Sequence, residues 1–427
     1  MEALTDSPAS ELDVLTHVTL PSTTISAFDY APDPVGNRDT LTETRPTFTI
    51  TNGLNDYGYD LVNRLTSAIH PTLPTENYTY DPVGNRHPST WQYNLANQLT
   101  NDGTFSYTYD ANGNQLTKTD TSTSQVVATY TYSPENQLIA ATTPTMTATY
   151  RYDGLGRRIQ KDVNGVQTRY VYDQEDLLLE FTGTNVLQAR WLHGAGIDEP
   201  LQMERDTDSN GAFSATERFT YHADGLGSIM ELTDSTGTVI RSYYYDAFGQ
   251  IANQTGTLVN PYTYTGREYD AETGTYHNRW RTLDPLTGRF LQEDPIGFEG
   301  GVNFYEYAAN NPVNATDPFG LYGTNSCEYY KKRCSEAGGV YYCVQAEFFC
   351  NQFPKYADPN PKKDDDFEGW SRCVRQCLQE CDSKFIDDTC SIGHKPDPKT
   401  DEFTDWQHTK CHLLCYTTCG VKQNPKF

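Results

Sequence analysis

The sequence predicts an all-β repeat shell built from antiparallel hairpins over residues 28–260. Tyrosine is unusually frequent, with 31 copies in 427 residues. Aromatic residues alternate with polar ones, as at Phe105, Tyr107 and Tyr109, and this period of two indicates strands with one buried face. The string DPVGNR also occurs twice, at residues 33–38 and 81–86. Recurrence of this kind is typical of repeat proteins.

Looser copies of the repeated string fill the intervals between the two exact ones. Tyr-Asp pairs at Asp60, Asp110 and Asp153 are each followed by Asn or Gly. Successive copies are about 19 residues apart, which leaves room for two short strands and two turns. Asn and Gly tolerate a positive φ, so each copy is expected to end in a tight turn. The alternative, a sandwich of unrelated hairpins, leaves the recurring turn strings unexplained.

Charge and cysteine divide the chain near residue 321. The formal net charge is −25, which argues against nucleic acid and against an anionic membrane surface as partners. Residues 322–427 hold 14 Lys and Arg against 16 Asp and Glu, so residues 1–321 carry nearly all of this charge. The 11 cysteines all follow residue 321. Two domains of different composition are therefore expected.

The Tyr-Asp copies resemble the YD repeats of the Rhs and teneurin-like family. This resemblance covers roughly residues 28–321 and implies strands that spiral into a hollow β-shell. With about ten copies, we expect a partial β-cocoon. Residues 261–321 resemble the Rhs repeat-associated core, which closes the shell in that family. The matching strings lie at 265–270, 284–290, 294–297, 310–312 and 317–321.

Two Asp-Pro-x-Gly units, beginning at Asp294 and Asp317, stand 23 residues apart within this segment. Proline fixes φ and removes a donor, so each aspartate has a rigid mount. Two carboxylates held close together share a proton, because both cannot ionise easily. Such a pair can activate water and protonate a carbonyl, as in aspartic proteases. The alternative is that each aspartate caps its own turn, and the spacing alone favours this.

The resemblance favours the catalytic interpretation. Family cores act as aspartic self-proteases that cut after the Leu of the final Asp-Pro-x-Gly-Leu. Carried over by motif, Asp294, Asp317 and Arg281 are the expected catalytic residues, and the cut falls between Leu321 and Tyr322. The change of composition occurs at the same position.

One departure from the family pattern concerns the residues beside Arg281. Thr282 and Leu283 stand where the family often has two tyrosines, so aromatic support for the guanidinium is expected to be missing. Arg289 and Glu293 are alternative helpers at the same site.

Residues 322–427 are predicted to form a small, mainly α-helical, cysteine-rich domain, which the resemblance implies is a variable cargo or effector. Two CxxxCxxxC strings place three cysteines each on one helical stripe. Dense cysteine indicates an oxidising destination, and the odd count leaves one thiol unpaired within the chain. The disulfide candidates are Cys327, Cys334, Cys343, Cys350, Cys373, Cys377, Cys381, Cys390, Cys411, Cys415 and Cys419.

Metal binding and catalysis are the alternatives to disulfides for this domain. His408, Cys411, His412 and Cys415 converge on one helical face and could bind zinc, but one helix rarely supplies four tetrahedral ligands. A catalytic pair of Cys411 with His394 is weaker still, since nothing distinguishes one cysteine from the others. No cofactor and no metal are therefore predicted.

The sequence predicts the C-terminal part of a shell protein that presents an effector and releases it by one self-cleavage. Residues 1–27 are expected to be irregular, and no signal peptide or membrane-spanning run is apparent. We expect a secreted or cell-surface protein. Its expected partners are its own C-terminal domain as cargo, a longer N-terminal shell or an export machine. The alternatives are a non-enzymatic adhesion module and an inactive truncated remnant.

Overall fold

A computed structural model of the chain describes residues 2–6, 12–19 and 23–321. The chain divides into two units, Met1–Tyr322 and Gly323–Phe427, and every described residue belongs to the first. The predicted helical cargo lies outside the described residues, as do its cysteines, the zinc and Cys–His alternatives, and Tyr322. The described part consists of antiparallel strands joined by tight turns, which confirms the predicted β-shell.

The first sheet has seven strands, each hydrogen-bonded to the next along the chain. Its inner face carries buried side chains at every second position, such as Phe28 and Tyr30. The strands are β1 (Glu2–Asp6), β2 (Leu12–Thr19), β3 (Thr23–Pro32), β4 (Arg38–Thr44), β5 (Gly53–Tyr59), β6 (Leu65–Ile69) and β7 (Glu76–Asn77).

The second sheet has sixteen strands, again in chain order. They are β8 (Gln92–Tyr93), β9 (Leu99–Asn101), β10 (Phe105–Tyr109), β11 (Gln115–Asp120), β12 (Val126–Tyr132), β13 (Leu138–Thr143), β14 (Met146–Tyr152), β15 (Arg158–Val163), β16 (Val166–Asp173), β17 (Asp176–Thr182), β18 (Leu187–His193), β19 (Pro200–Arg205), β20 (Arg218–Ala223), β21 (Ile229–Thr233), β22 (Val239–Tyr245) and β23 (Ile251–Thr255).

A third sheet of four strands lies in the predicted core segment. It consists of β24 (Glu268–Asp270), β25 (Thr275–Asn278), β26 (Arg281–Asp284) and β27 (Arg289–Phe290). Short 3₁₀ helices occur at Thr49–Thr51, Ala215–Glu217, Tyr264–Gly266, Gly297–Gly300 and Ala308–Asn310. Within residues 2–6, 12–19 and 23–321, no helix has the length and hydropathy that a membrane span requires.

The prediction that residues 1–27 are irregular is wrong for the residues that the structure describes. Strands β1, β2 and the start of β3 occupy this stretch and pair antiparallel, with one register shift in each pair. The segment lacks Tyr-Asp pairs, so the repeat pattern does not reveal it. Leu15 and His17 are nevertheless buried at alternate positions, which is the burial pattern of a strand with one inward face.

One turn type recurs at the end of each repeat. At Asp81, one carboxylate oxygen accepts the backbone N–H groups of Val83 and Asn85, at 3.0 and 2.9 Å. Gly84 has a φ of +84° and its N–H bonds to the carbonyl of Asp81. Asn63 takes the same place after Asp60 with a φ of +64°. Each turn therefore needs an oxygen acceptor first and Gly or Asn fourth.

The tyrosine that precedes each turn links neighbouring repeats. Its hydroxyl donates, over 2.6 to 3.0 Å, to a backbone carbonyl five residues after the start of the preceding turn. This bond ties each strand end to the repeat before it. The donors are Tyr59, Tyr80, Tyr93, Tyr109, Tyr132, Tyr152, Tyr172 and Tyr245, and the acceptors are the carbonyls of Arg38, Leu65, Arg86, Leu99, Gln115, Leu138, Arg158 and Ile229.

The first and second sheets are joined by a buried arginine. The side chain of Arg45 is fully buried and forms an ion pair with Glu231 of β21. It also donates to the carbonyls of Tyr243 and Met230, at 2.8 and 2.7 Å. Because a buried charge is costly without a partner, this network holds β4 against β21 and β22.

Residues 261–321 contact the turns of successive repeats in the first and second sheets. Their side chains bond the turns directly, so this segment fastens the ends of many hairpins at once. Its donors Asn310, Tyr305 and Tyr276 reach the carbonyls of Gly84, Gly113 and Gly249 over 2.7 to 2.8 Å. Further along, Arg158 forms ion pairs with Glu268 and Asp270, at 2.9 and 2.5 Å.

Replacing Tyr245 with Phe should destabilise the shell by about 1–2 kcal/mol, because a buried carbonyl loses its donor while the ring is kept. The hydroxyl of Tyr245 donates to the fully buried Ile229 over 2.7 Å. Urea unfolding of the purified chain measures the change.

The matched control for this experiment is Tyr269→Phe. Within the described residues, the structure records no hydrogen bond to the Tyr269 hydroxyl, although its ring contacts Tyr276. Equal losses of stability in the two variants would contradict a role of the hydroxyl in linking repeats.

Candidate functional site

The structure brings together three residues that the sequence analysis singled out. One guanidinium nitrogen of Arg281, on β26, lies 2.8 Å from Asp294 Oδ2 and 3.4 Å from Asp317 Oδ2. All three side chains are at least nine-tenths buried. The two carboxylates therefore meet at one cation, although they stand 23 residues apart in the chain.

The two aspartates are mounted on similar turns. Asp294 Oδ1 accepts the N–H of Ile296 at 3.0 Å, and Asp317 Oδ1 accepts the N–H of Leu321 at 2.8 Å. Each carboxylate thus uses one oxygen to hold its own turn and presents the other to Arg281. The turn-capping role and a shared site are both present in the geometry.

The surroundings of Asp294 raise its pKa above the ordinary value of an aspartate. Burial raises the pKa of Asp294 to about 6, and the nearby charge of Asp317 adds to this rise while Arg281 opposes it. A carboxyl group with this pKa exchanges its proton near neutral pH. Perturbed carboxyl groups of this kind mark candidate catalytic sites.

The expectation that Arg281 lacks aromatic support is wrong. The ring of Phe290, on the neighbouring strand β27, lies 3.7 Å from the Arg281 guanidinium carbon. A cation over an aromatic face is attracted by the ring electrons. The support comes from the adjacent strand instead of the adjacent residue, so the local motif does not reveal it.

The segment that ends at Leu321 is held along its backbone by residues 278–281. Four consecutive residues contact four consecutive carbonyls, each 39 positions further along the chain. Leu321 itself is buried. The donors are Asn278 Nδ2, Arg279 Nη1, the backbone N–H of Trp280 and Arg281 Nε, and the acceptors are the carbonyls of Asp317, Pro318, Phe319 and Gly320. We call residues 278–281 the clamp.

Gly320 allows this close approach. Its φ is +69°, and a Cβ there would lie 2.7 Å from the carbonyl oxygen of Asn278 and 3.0 Å from Arg281. Any side chain would therefore push the segment out of the clamp.

Arg279 connects the clamp to the repeat shell. Its guanidinium pairs with Asp198 at 2.8 Å and with Glu175 at 3.5 Å, both from the second half of the sixteen-stranded sheet. The same group donates to the carbonyl of Pro318 at 2.6 Å and lies over the ring of Phe319. The segment before Leu321 is therefore positioned partly by the shell.

The two predicted helper residues, Arg289 and Glu293, and the turn residue Asp284 lie outside the cluster around Arg281. Arg289 bonds Asn85 and the carbonyl of Asn97, so it fastens the first repeats. Glu293 accepts the hydroxyl of Tyr305 at 3.1 Å. Asp284 holds its own turn by accepting the N–H of Leu286 at 3.0 Å. The structure thus gives Arg289 and Glu293 structural partners and keeps them out of the contacts around Arg281.

Sequence reasoning missed Asn278, Arg279 and Phe290. The clamp works through backbone carbonyls, which carry no side-chain signal. Arg279 also has a positive φ of +52°, which its residue type does not predict.

Known proteins share this fold and part of this sequence. The tRNA3(Ser)-specific nuclease WapA of Bacillus spizizenii is 35% identical over 291 residues, which are 61% of this chain and 12% of that protein. The double-stranded DNA deaminase toxin A of Burkholderia cenocepacia is 28% identical over 71% of this chain and 23% of its own length. The chain thus spans less than a quarter of these two relatives.

Solved structures of low sequence identity support the fold alone. The crystal structure of TcdB2-TccC3 aligns with a TM-score of 0.53 at 19% identity, over 75% of this chain and 18% of that chain. The Photorhabdus luminescens Tc holotoxin pore aligns with a TM-score of 0.52 at 20% identity, over the same shares.

The profile of the Teneurin YD-shell family matches residues 38–313. This range covers more than half of the chain and includes both the repeats and most of the core segment. The predicted resemblance is therefore confirmed, and the chain belongs to the Teneurin YD-shell family.

Proposed function

We propose that this chain is part of an effector-delivery shell that cuts itself once, between Leu321 and Tyr322. The observation that carries the proposal is the convergence of Asp294 and Asp317 on Arg281, directly beside the clamped segment that ends at Leu321. In this view residues 261–321 are the core and residues 322–427 are the cargo.

The proposed reaction is hydrolysis of one peptide bond. The second carboxylate, that of Asp317, takes a proton from water, and the resulting hydroxide adds to the carbonyl carbon of Leu321. Asp294, protonated below its raised pKa, gives its proton to the carbonyl oxygen. Arg281 stabilises the negative charge that develops. The C–N bond then breaks as Asp317 passes the proton that it took from water to the nitrogen of Tyr322. A hydroxyl of the intermediate returns a proton to Asp294, and Leu321 gains a carboxyl group.

The proposed cargo follows from the names of the relatives. One is a nuclease, another a DNA deaminase toxin, and a third is the toxin protein Tse5 of Pseudomonas aeruginosa. We propose that residues 322–427 are likewise an effector, delivered by a secreted or surface-bound shell. Disulfides among its cysteines would fit an oxidising destination.

A second candidate function is a non-enzymatic interaction module. The hydrogen bonds that Asp294 and Asp317 accept within their own turns favour it, since these bonds suffice to explain both aspartates. The two candidates differ in whether the chain is cut.

Cleavage should give fragments of 321 and 106 residues, and Asp294→Asn or Asp317→Asn should abolish it. The amide cannot exchange a proton in either catalytic role. Intact mass and N-terminal sequencing of the small fragment, which should start at Tyr322, measure the outcome.

The matched control is Asp284→Asn. Asp284 begins another Asp-Pro turn of the same core segment and lies outside the Arg281 cluster. It should leave cleavage intact. A parent chain that stays whole, or an Asp294→Asn chain that is still cut, would contradict the proposal.

Cleavage should slow as the pH rises above about 6, because Asp294 has its raised pKa there and must be protonated to act as the acid. The rate should fall about tenfold per pH unit above that value. It can be followed after cell-free synthesis and transfer into buffers of different pH.

Glu306→Gln is the control for this pH dependence. Burial raises the pKa of Glu306 to about 7, so it titrates in the same range. Its removal should leave the fall near pH 6 in place. A rate that does not change between pH 5 and 8 would exclude Asp294 as the acid.

Arg279→Gln should slow cleavage up to roughly a hundredfold, because misplacement of a reacting group by about 1 Å has this effect. Arg279 acts as a positioning residue through the carbonyl of Pro318. The pH at which the rate falls should therefore stay unchanged while the rate drops.

Asp198→Asn tests the same connection from the shell side. It weakens the anchor of Arg279 and leaves the clamped carbonyls untouched, so a smaller decrease in rate is expected. Cleavage at the parent rate in both variants would show that the clamp does not depend on the shell.

A further inference from the structure

The loop between β19 and β20 carries a sequence pattern that neither the repeats nor the proposed cleavage explains. Residues 206–217 read DTDSNGAFSATE. This string fits D-x-[DN]-x-[DN]-G-x₅-E at every defined position, and this is the pattern of the twelve-residue calcium loop of EF-hands.

The structure brings the acidic residues of this loop together. Single carboxylate oxygens of Asp206, Asp208 and Glu217 all lie within 4.8 Å of one another. Calcium binds oxygen ligands at about 2.3–2.6 Å, so one ion can contact all three. Residues 1, 3 and 12 of the pattern therefore converge as the pattern requires.

Two of these carboxylates are buried without a neutralising charge. Asp206 is 6% exposed and Glu217 is 4% exposed. Within the described ranges, no ion pair joins Asp206, Asp208 or Glu217 to a basic side chain, although neighbouring Arg205 pairs with Glu180. Buried charges in proteins are normally paired or bound to a metal. Asp206 and Glu217 are instead held by N–H and hydroxyl donors of the loop, so their hydrogen bonds are satisfied while their charge is not neutralised.

The loop of residues 206–217 gathers more carboxylates than the turn between β21 and β22. Elsewhere in the shell, Asp234 closes the turn between β21 and β22 with one carboxylate, which accepts the N–H groups of Thr236 and Thr238. The loop of residues 206–217 uses Asp206 in this way, through the N–H groups of Asn210 and Gly211. Asp208 also accepts the N–H of Asn210, and Glu217 caps the short 3₁₀ helix by accepting the N–H of Ser214. The loop therefore gathers three carboxylates where the turn at Asp234 uses one.

We propose that residues 206–217 bind one calcium ion. Asp206, Asp208 and Asn210 supply side-chain oxygens at pattern positions 1, 3 and 5. Position 7 is Ala212, whose carbonyl is the backbone ligand of the pattern, and Glu217 supplies the two oxygens of position 12. Gly211, with a φ of +80°, occupies the position where the pattern needs glycine.

The ligand set selects calcium over other metals. All donors are hard oxygens, which disfavours zinc and copper. A bidentate glutamate and a twelve-residue loop suit the larger coordination number of calcium, whereas magnesium demands a compact octahedron. Extracellular calcium modules bind in the range of about 10⁻⁴–10⁻³ M. At such an affinity the loop would fill outside a cell and stay largely unfilled in a resting cytosol.

Isothermal titration of the purified full chain with calcium chloride, after treatment with a chelator, tests the proposal. We expect one site with a Kd of about 10⁻⁴–10⁻³ M and a thermal unfolding midpoint that rises with calcium. Asp208→Asn and Glu217→Gln should each raise the Kd at least about tenfold, since each removes a charged ligand.

The controls separate binding from folding. Asp208 is exposed, so Asp208→Asn should fold even if Glu217→Gln does not. Asp234→Asn changes an equivalent turn acid outside the loop and should leave calcium binding as in the parent. Absence of calcium binding in the parent, equal binding of magnesium, or parent-like binding in Asp208→Asn would each overturn the proposal.

Discussion

The hydrogen bond from a tyrosine hydroxyl to the turn of the preceding repeat is the interaction on which this shell depends. An isolated hairpin is marginally stable, and strand pairing alone leaves its turn free to shift. The bond from Tyr80 to the carbonyl of Leu65, repeated along the chain, fixes each strand end relative to the last. The aspartate after the tyrosine closes the next turn. The Tyr-Asp pair thus joins two repeats and ends one strand, which explains why these residues recur together.

Alignment of the turns creates the surface that the core segment binds. Because the turns lie in a row, residues 261–321 can contact Gly84, Gly113 and Gly249 with one continuous stretch of chain. The candidate site forms within this stretch, where β26 and the final Asp-Pro turn meet. Its arginine and aspartates are buried and already contact each other in the folded chain, which is the arrangement of a preorganised polar site. The geometry of the candidate site therefore depends on the packing of the core segment against the shell.

The sequence predicted the architecture better than the detail. Period-two tyrosines and the recurring DPVGNR string were sufficient for the β-shell, because local pattern and turn chemistry agree there. The grouping of Asp294 with Asp317 came from family resemblance, since two turn-capping aspartates have the same local signal. The strands within residues 1–27 lack the tyrosine pattern, and Phe290 supports Arg281 from another strand. The motif at residues 206–217 is present in the linear sequence, but the repeats around it have turns of similar composition and mask it.

The clamp also determines the fate of a chain end created by a cut after Leu321. Residues 317–320 are held by donors from four consecutive residues, and Leu321 is buried. The contacts between this segment and the clamp would persist after the cut, so the new carboxyl end would stay beside Arg281. The bound product would then occupy the site, and each chain would catalyse a single turnover.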